Sequence, residues 1–296
     1  MIKVIVIAGA TGVGKTELSI KLAKMFNGEI VNADASQFHK NLNIGTAKIS
    51  DEEKQGVNHH LFDILDETCN FSIRDYQTIA RAKIDQISEN NKLPFIVGGS
   101  GLYIDALIND YDLNGPSNEY IDSEKEYESY SNEELFELLK SINEEFASHT
   151  HPNNRKRVIR YIQKAKEGLS FENEKPKKYY DALFLFLNRD RADLYDRINR
   201  RTIKMMEDGW IEEVKSLIDK NVDIDKIKEI GYKEIRDYLN DLISYDELID
   251  LIQKQTRHYA KRQITWFKNK SESIIVDANN ISYDEINTLI KNFLSQ

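Results

Sequence analysis

The octapeptide GATGVGKT spans Gly9 to Thr16, near the start of the chain. It matches G-x-x-x-x-G-K-[ST], a pattern that binds phosphate groups when it lies between a strand and a helix. That context is present here. Lys3 to Ala8 alternates and is rich in β-branched residues, and Lys15 to Phe26 has apolar residues at helical spacing. The sequence therefore predicts a first strand, a phosphate-binding loop (P-loop) and a first helix.

The chemistry of such a loop follows from its backbone. We expect the N–H groups of residues 12 to 16 to point into one anion-sized concavity, where the helix N-terminus adds partial positive charge. Lys15 supplies a full charge there, and the Thr16 hydroxyl is placed to bind Mg²⁺. The predicted phosphate-binding residues are Gly9, Ala10, Thr11, Gly12, Val13, Gly14, Lys15 and Thr16.

Strand-like and helix-like segments alternate along most of the chain. The further strand-like segments are Glu29–Ala33, Pro94–Gly98, Asp181–Leu187 and Ile274–Asp277. The alternation predicts a parallel sheet with right-handed crossovers, hence an α/β, P-loop NTPase-like sheet flanked by helices. Residues 114–150 break the rhythm, since they are acidic and carry one amphipathic helix, Glu133–Phe146. We interpret 114–150 as a helical insertion domain in a P-loop-type core made of 1–113 and 151–296.

The charge of the chain is unevenly distributed. Among 296 residues, 41 are Lys or Arg and 50 are Asp or Glu, so the net charge of −9 argues mildly against nucleic acid as a partner. Two segments nevertheless contain several Lys and Arg and no Asp or Glu, namely His151–Lys164 and Lys254–Lys270. Each is either a phosphate-contacting surface or the solvated face of an amphipathic helix, and charge alone does not decide between them.

Composition also narrows the class of protein. Cys69 is the single cysteine, which excludes an internal disulfide and a structural zinc site of several thiolates. No apolar run approaches the ~18 residues of a membrane span, and Ile2–Ala8 lacks the features of a signal peptide. We expect a monomeric protein of the reducing cytoplasm that does not associate with membranes.

Asp34 is the best acidic residue at a strand end. A nucleotide-hydrolysing P-loop enzyme usually has an apolar strand that ends in a metal-supporting Asp, but the third strand here ends in PFIVGGSG. Asp34 instead follows the second strand, on the same rim of the sheet as the P-loop. Its carboxylate either faces a second substrate opposite the phosphate or caps the following turn.

Two other motifs have more than one reading. GGSGLY, Gly98 to Tyr103, either lets a ligand approach the Ser100 hydroxyl or packs a helix tightly on a strand. His59 and His60 could suggest a metal site, but adjacent residues of a strand point to opposite faces and no third ligand is nearby in the sequence. We interpret the pair as structural or as part of a substrate channel.

Taken together, the motifs resemble one family. GATGVGKT, NADASQFHKNLNIGTAK, HHLFDIL, VGGSGLY, HPNNRKRVIR, KEIGYKE and TRHYAKRQITWF occur in the order and approximate spacing of the bacterial tRNA dimethylallyltransferases, over some nine tenths of the chain. The resemblance implies transfer of a dimethylallyl group from dimethylallyl diphosphate to N6 of adenosine 37, in tRNAs that read codons beginning with U. The P-loop would then hold a leaving diphosphate, with Mg²⁺ at Thr16.

The resemblance also implies roles for particular residues. Asp34 would accept the N6 proton, Ser100 would act near the tRNA base, and Lys15 and Thr16 would stabilise the leaving diphosphate, so that these four residues form the implied catalytic set. The insertion would contact the anticodon stem-loop. The implied tRNA-binding residues are Asp34, Ala35, Ser36, Gln37, Ser100, Asn153, Asn154, Arg155, Lys156, Arg157, Lys228, Glu229, Ile230, Gly231, Tyr232 and Lys233.

Some positions depart from the family pattern, and two other functions compete with it. Ser100 stands where the family usually has Thr, and His39 replaces a usual Tyr, which affects the expected contacts with the base. One rival is a small-molecule or nucleoside kinase, with Asp34 as base and lid arginines at Arg191 and Arg197. The other is a nucleic-acid-binding P-loop protein without chemistry of its own.

Overall fold

The computed structural model describes residues 1–111, 126–168, 177–270 and 272–296. The chain divides into two compact units, a main unit of Met1–Asp110 with Lys178–Gln296 and a second unit of Tyr111–Lys177. The sequence places the end of the insertion at residue 150, and the second unit continues to Lys177. The basic helix that begins at Arg155 packs within that unit, which explains the difference. Residues 114–125 of the predicted insertion lie outside the described residues.

A parallel sheet forms the centre of the main unit. In the described part of the chain it has six strands in the order β3-β2-β4-β1-β5-β6, and every pairing is parallel. The strands are β1 Lys3–Gly9, β2 Gly28–Asn32, β3 His59–His60, β4 Leu93–Gly98, β5 Asp181–Asn188 and β6 Ile274–Asp277. The predicted α/β fold with a P-loop NTPase-like parallel sheet is confirmed.

Helices cover both faces of this sheet. The described helices of the main unit are α1 Lys15–Met25, α2 Ile73–Glu89, α3 Gly101–Ile108, α7 Arg191–Glu207, α8 Trp210–Asp219, α9 Tyr232–Leu239, α10 Tyr245–Lys268 and α11 Tyr283–Ser295. The second unit, which is separate from this sheet, contains the described helices α4 Asn132–Ile142, α5 Glu144–Ser148 and α6 Arg155–Lys166. Along β1, Ile5 and Ile7 enter one apolar core, whereas Val4, Val6 and Ala8 enter the core on the opposite face. Because β1 is buried on both faces, its sequence is a continuous apolar run.

A third apolar core lies among the helices that follow β5, and Trp210 is its largest residue. Two glycines of the family-like motifs meet this indole. A Cβ atom on Gly45 would lie 2.3 Å from Trp210 Nε1, and one on Gly231 would lie 2.1 Å from Trp210 Cζ2. The segments NIGTAK and KEIGYKE, distant in sequence, therefore pack against the same side chain.

The second unit has its own small core of residues such as Leu135, Leu139, Val158 and Ile162. The amphipathic segment predicted as one helix is two helices, because Asn143 leaves helical geometry at φ −155° and its side chain caps α5 by accepting from Phe146 N–H. Within the residues that the structure describes, no helix is both long and apolar enough to cross a bilayer.

Candidate active site at the carboxyl ends of the central strands

The P-loop connects β1 to α1 with the backbone geometry that anion binding requires. Gly12 has φ +79° and Gly14 has φ +109°, a region that glycine occupies without strain. A Cβ atom on Gly9 would lie 2.8 Å from Leu187 O, so the loop also passes close to β5. Gly14 is the N-cap of α1 and offers no side chain for the first amides, which leaves them available to an anion.

Lys15 lies inside this loop and contacts its carbonyl groups. Its Nζ donates to Gly9 O and Ala10 O, both at 3.0 Å. Burial lowers the pKa of Lys15 to about 8; the negative charge of Asp34 opposes this shift, and the positive charge of Arg201 adds to it. The ammonium group is thus positive at neutral pH, poorly solvated, and in a position to gain from an incoming polyanion.

Two arginines of α7 complete the positive side of the site. Arg197 Nε donates to Gly12 O at 3.0 Å, and Arg201 Nη2 donates to Thr11 Oγ1 at 2.6 Å. The two residues are four apart and share a helix face. Burial lowers the pKa of Arg201, Arg197 adds to that shift and Asp34 opposes it. Sequence reasoning considered Arg197 only for the kinase alternative and missed Arg201, although their helical spacing after β5 was a usable signal.

Asp34 begins a short turn, residues 34–37, that follows β2 and is hereafter the Asp34 turn. Its backbone N–H donates to Asn32 Oδ1 at 2.9 Å, and Ser36 Oγ donates to its Oδ1 at 2.8 Å. Asp34 occupies the N-cap of the 3-10 helix Ala35–Phe38 but makes no side-chain cap hydrogen bond. The capping alternative therefore describes its position and not the use of its carboxylate, which lines the central cavity.

Ser100 anchors the Asp34 turn from the neighbouring strand. Its Oγ accepts from Ala35 N–H at 3.0 Å. A Cβ atom on Gly98 would lie 2.1 Å from Ala33 O, and one on Gly99 would lie 3.2 Å from Asp34 Oδ2. The glycines of GGSGLY thus permit close packing, and the Ser100 hydroxyl holds the backbone beside Asp34, whereas approach of a ligand to this hydroxyl stays a prediction. Ser100 itself is not among the cavity-lining residues.

The loop Asn43–Lys48 forms a further part of the wall and is held from two directions. Gln37 Nε2 donates to Thr46 O and Ala47 O, both at 3.1 Å. From α8, the carboxylate of Glu213 accepts from three successive N–H groups, those of Asn43, Ile44 and Gly45, at 2.8, 2.8 and 3.2 Å. Sequence reasoning missed Glu213, because its partners lie about 170 residues away.

The segment 228–233 divides between the cavity and the core. Lys228, Glu229 and Ile230 line the cavity, and Lys228 Nζ donates to Asn70 Oδ1 at 2.6 Å. Glu229 Oε1 lies 3.5 Å from His39 Nδ1. Tyr232 is fully buried at 0% exposure and donates to Glu213 Oε1 at 2.7 Å. Burial, reinforced by the Glu213 carboxylate, raises the pKa of Tyr232, so this residue supports the segment from beneath.

The predicted tRNA-binding residues 153–157 lie in the second unit at the start of α6. The exposed ones are Asn153, Asn154, Lys156 and Arg157. Arg155 points inward instead, where its guanidinium donates to Tyr130 O at 2.7 Å and Tyr127 O at 2.5 Å. It joins the start of α6 to the chain before α4, a structural role that the basic pattern alone did not suggest.

A cavity of about 820 Å³ brings together half of the predicted site residues. Thr11, Gly12, Gly14, Lys15 and Thr16 line it together with the four residues of the Asp34 turn. Gly9, Ala10 and Val13 belong to the fold of the loop rather than to its lining. Other lining residues were not part of the predicted site, among them Arg200, Arg201, Trp210, Tyr259 and Arg262.

The histidine pair is divided as the strand geometry predicts. His59 lines the cavity and its Nδ1 contacts Val57 O at 2.8 Å, whereas His60 Nε2 contacts Glu29 Oε2 at 2.6 Å. Burial lowers the pKa of His59. Among the described residues, no group of three or more His, Cys, Asp or Glu could hold a metal ion. A divalent cation would therefore depend on ligands that a substrate brings, with the exposed Thr16 hydroxyl as a protein ligand.

Comparisons with known proteins agree with this arrangement. Residues 37–270 match the family model described as IPP transferase. The chain is 40% identical to the tRNA dimethylallyltransferase of Halalkalibacterium halodurans, over 99% of this chain and 96% of the relative, and 44% identical to that of Alkaliphilus oremlandii, over 90% and 88%.

Solved structures show the same similarity. The full-length tRNA isopentenylpyrophosphate transferase from Bacillus halodurans superposes with a TM-score of 0.74 at 39% identity, covering 100% of this chain and 96% of that chain. A eukaryotic dimethylallyltransferase acting on tRNA superposes with a TM-score of 0.85 at 28% identity, covering 100% and 80%. Sequence, fold and site geometry thus agree that the chain belongs to the IPP transferase family of tRNA dimethylallyltransferases.

Proposed function

We propose that this enzyme transfers a dimethylallyl group from dimethylallyl diphosphate to N6 of adenosine 37, in tRNAs that read codons beginning with U. The observation that carries the proposal is that the P-loop and Asp34 line the same cavity and that the charge of Asp34 acts on Lys15. The same cavity thus contains a loop that can bind the leaving anion and a carboxylate that can accept a proton. The names of the relatives indicate the two substrates, a dimethylallyl donor and tRNA.

The donor side stabilises the leaving group. As the allylic C–O bond breaks, its electron pair stays with the diphosphate, where Lys15, Arg197, Arg201 and the first amides of α1 stabilise the added charge. Each preorganised hydrogen-bond donor that points at developing negative charge typically lowers the activation barrier by about 3 kcal/mol. A Mg²⁺ ion held by Thr16 and the diphosphate would neutralise further charge on the leaving group.

The acceptor side activates a weak nucleophile. The N6 amine of adenine is a poor nucleophile because its lone pair is delocalised into the ring. Asp34 accepts a hydrogen bond from N6–H, orients the amine and takes the proton as the C–N bond forms. Ser36 donates to one carboxylate oxygen and Ser100 fixes the following peptide, so the group is held in one orientation. The base reaches the cavity by leaving the stack of the single-stranded anticodon loop.

A direct assay tests the proposal. The full chain is incubated with Mg²⁺, labelled dimethylallyl diphosphate and an unmodified tRNA carrying A36-A37-A38, and the digested product is analysed by mass spectrometry. The expected product is N6-dimethylallyladenosine at position 37, absent when A37 is replaced by G. Parallel reactions contain ATP with nucleosides. Phosphorylated nucleoside without prenylated tRNA would support the kinase alternative and refute the proposal.

A further inference from the structure

One face of α10 contacts the loops on both sides of the cavity. Tyr259, Gln263 and Trp266 are spaced four and three apart, so they lie on the same face. Tyr259 lines the cavity, and a Cβ atom on Gly101 would lie 2.2 Å from Trp266 Cδ1. Gln263 lies between them and is buried at 5% exposure. An uncharged polar side chain in such a place requires hydrogen-bond partners.

Gln263 uses both ends of its amide on two different loops. Its Oε1 accepts from Thr11 N–H at 2.9 Å, in the P-loop. Its Nε2 donates to Gly99 O at 2.9 Å, in the turn after β4. A Cβ atom on Gly99 would lie 2.2 Å from that Nε2, so the absence of a side chain at position 99 is what admits the amide. Both hydrogen bonds require one acceptor and one donor, which glutamine supplies without charge.

The two loops joined in this way hold the two reacting sides. Thr11 Oγ1 accepts from Arg201, and the neighbouring residues of the P-loop face the leaving group. Gly99 precedes Ser100, whose hydroxyl binds Ala35 N–H next to Asp34. A direct connection from the P-loop to the turn that supports Asp34 therefore runs through the buried amide of Gln263.

We propose that Gln263 is a positioning residue that fixes the separation and orientation of the P-loop relative to the Asp34 turn during prenyl transfer. The inference rests on the proposed function, because it assigns the leaving group to one loop and the proton acceptor to the other. Transfer requires the allylic carbon and N6 to be aligned at close range, and a misplacement of about 1 Å can cost 10²-fold in rate. The diphosphate still binds the P-loop and the adenine still binds at the Asp34 turn when Gln263 is changed, so substrate binding depends less on Gln263 than turnover does.

Two variants distinguish the effect of the two Gln263 hydrogen bonds, hereafter the Gln263 bridge, from the effect of its packing. In Gln263→Met the shape is kept and both hydrogen bonds are lost, so kcat is expected to fall about 10²-fold at every pH while both KM values stay within about threefold. In Gln263→Glu the ionised carboxylate cannot donate to Gly99 O, but the protonated acid both accepts and donates. Burial raises the pKa of such a carboxyl group, so protonation falls within the assay range.

The pH profile is the decisive measurement. The ratio of kcat for Gln263→Glu to that of the unmodified enzyme is expected to rise from about 10⁻² at pH 8.5 to within about tenfold of unity at pH 6.0. Taking a ratio cancels titrations common to both proteins. Gln253→Glu, the same change on the same helix away from the P-loop, serves as the control, with a ratio near unity at both pH values. A flat ratio for Gln263→Glu, or a normal kcat for Gln263→Met, would overturn the proposal.

Hydrogen exchange of the unmodified protein provides a test that needs no variant. The Thr11 backbone amide and the Gln263 side-chain amide are expected to exchange at least 10²-fold more slowly than exposed amides. Exchange at the exposed rate would show that the bridge is absent, even if both Gln263 variants failed to fold. Failure of the proposed function is a separate result, since then the unmodified enzyme would make no prenylated tRNA while the bridge remained protected.

Discussion

The P-loop and the Asp34 turn line the same cavity but are built in different ways. The P-loop takes its shape from local features: glycines at φ +79° and +109°, a buried strand before it and a helix after it. The Asp34 turn makes local hydrogen bonds with Asn32 and Ser36, but it and its neighbouring loop are also held by Ser100, Glu213 and Trp210. Distant residues contact the P-loop as well, but its backbone shape is set mainly by short-range sequence, whereas the acceptor side depends more on tertiary packing.

This difference explains what can vary at each side. A loop whose amides are oriented by its own backbone binds any suitable phosphate, which is why P-loops serve many reactions. A carboxylate on a turn that distant residues support suits one acceptor geometry. The specificity of this enzyme is therefore expected to reside in the Asp34 turn and its supports, and the predictions below disturb the two sides separately.

Replacing Asp34 is expected to have the largest effect and to separate the two sides most sharply. Asp34→Asn keeps the shape but cannot take the N6 proton, so kcat should fall about 10³-fold. Diphosphate affinity, measured by calorimetry at pH 7.0, should change by less than about threefold. A pH below 8 is chosen because the charge of Asp34 raises the pKa of Lys15, so that Asp34→Asn lowers this pKa and would reduce the protonated fraction of Lys15 at higher pH. Lost donor binding with unchanged turnover at saturation would place Asp34 on the donor side instead.

Gly231 tests whether remote packing supports the acceptor side. Gly231→Ala forces a side chain at φ +102° and brings Cβ to 2.1 Å from Trp210, whereas Gly56 has φ +79° and no heavy atom within 4 Å of an added Cβ. Gly56→Ala should lower the free energy of unfolding by about 1 kcal/mol, and Gly231→Ala by about 3 kcal/mol or more. Urea denaturation measures both. Equal losses would mean that Trp210 yields without cost and that its packing does not define the loop.

The same contrast decides how much of the molecule the sequence could predict. Alternation of strands and helices and the P-loop pattern predicted the fold, because both are short-range signals. Asp34 was found from its place at a strand end, and Arg197 and Arg201 had a detectable helical spacing. Glu213 and Gln263 were not found, because a carboxylate or amide on a helix reveals its partners only after the chain has folded. The boundary at residue 150 differs from the structure for a similar reason, since α6 packs against residues that precede it.

Lys15 makes the donor side sensitive to pH. Its pKa is lowered to about 8, chiefly by burial, and a bound diphosphate favours the charged form. Binding above pH 8 therefore requires proton uptake, so donor affinity should be constant below pH 7 and fall by up to tenfold per pH unit above 8. Isothermal calorimetry with dimethylallyl diphosphate from pH 6.5 to 9.5 measures this. The diphosphate itself ionises near pH 6 and does not contribute above pH 7.5. Lys15→Arg, which stays charged, should abolish the decline, and a decline of equal size in that variant would assign it to another group.

Glu213 is expected to give the smallest effect, confined to the acceptor side. Glu213→Gln places an amide where two oxygens accept from three backbone N–H groups and from Tyr232, so at least one donor loses its acceptor. A lost hydrogen bond to a charged group costs about 1.5–3 kcal/mol in stability. The loop Asn43–Lys48 should loosen at the cavity wall, lowering kcat/KM for tRNA about fivefold while donor affinity is unchanged. Glu212→Gln, an exposed neighbour on α8, is the matched control. If Glu213→Gln weakened diphosphate binding as much as it slowed tRNA modification, the two sides of the cavity would be one coupled unit, and the division drawn between them would not hold.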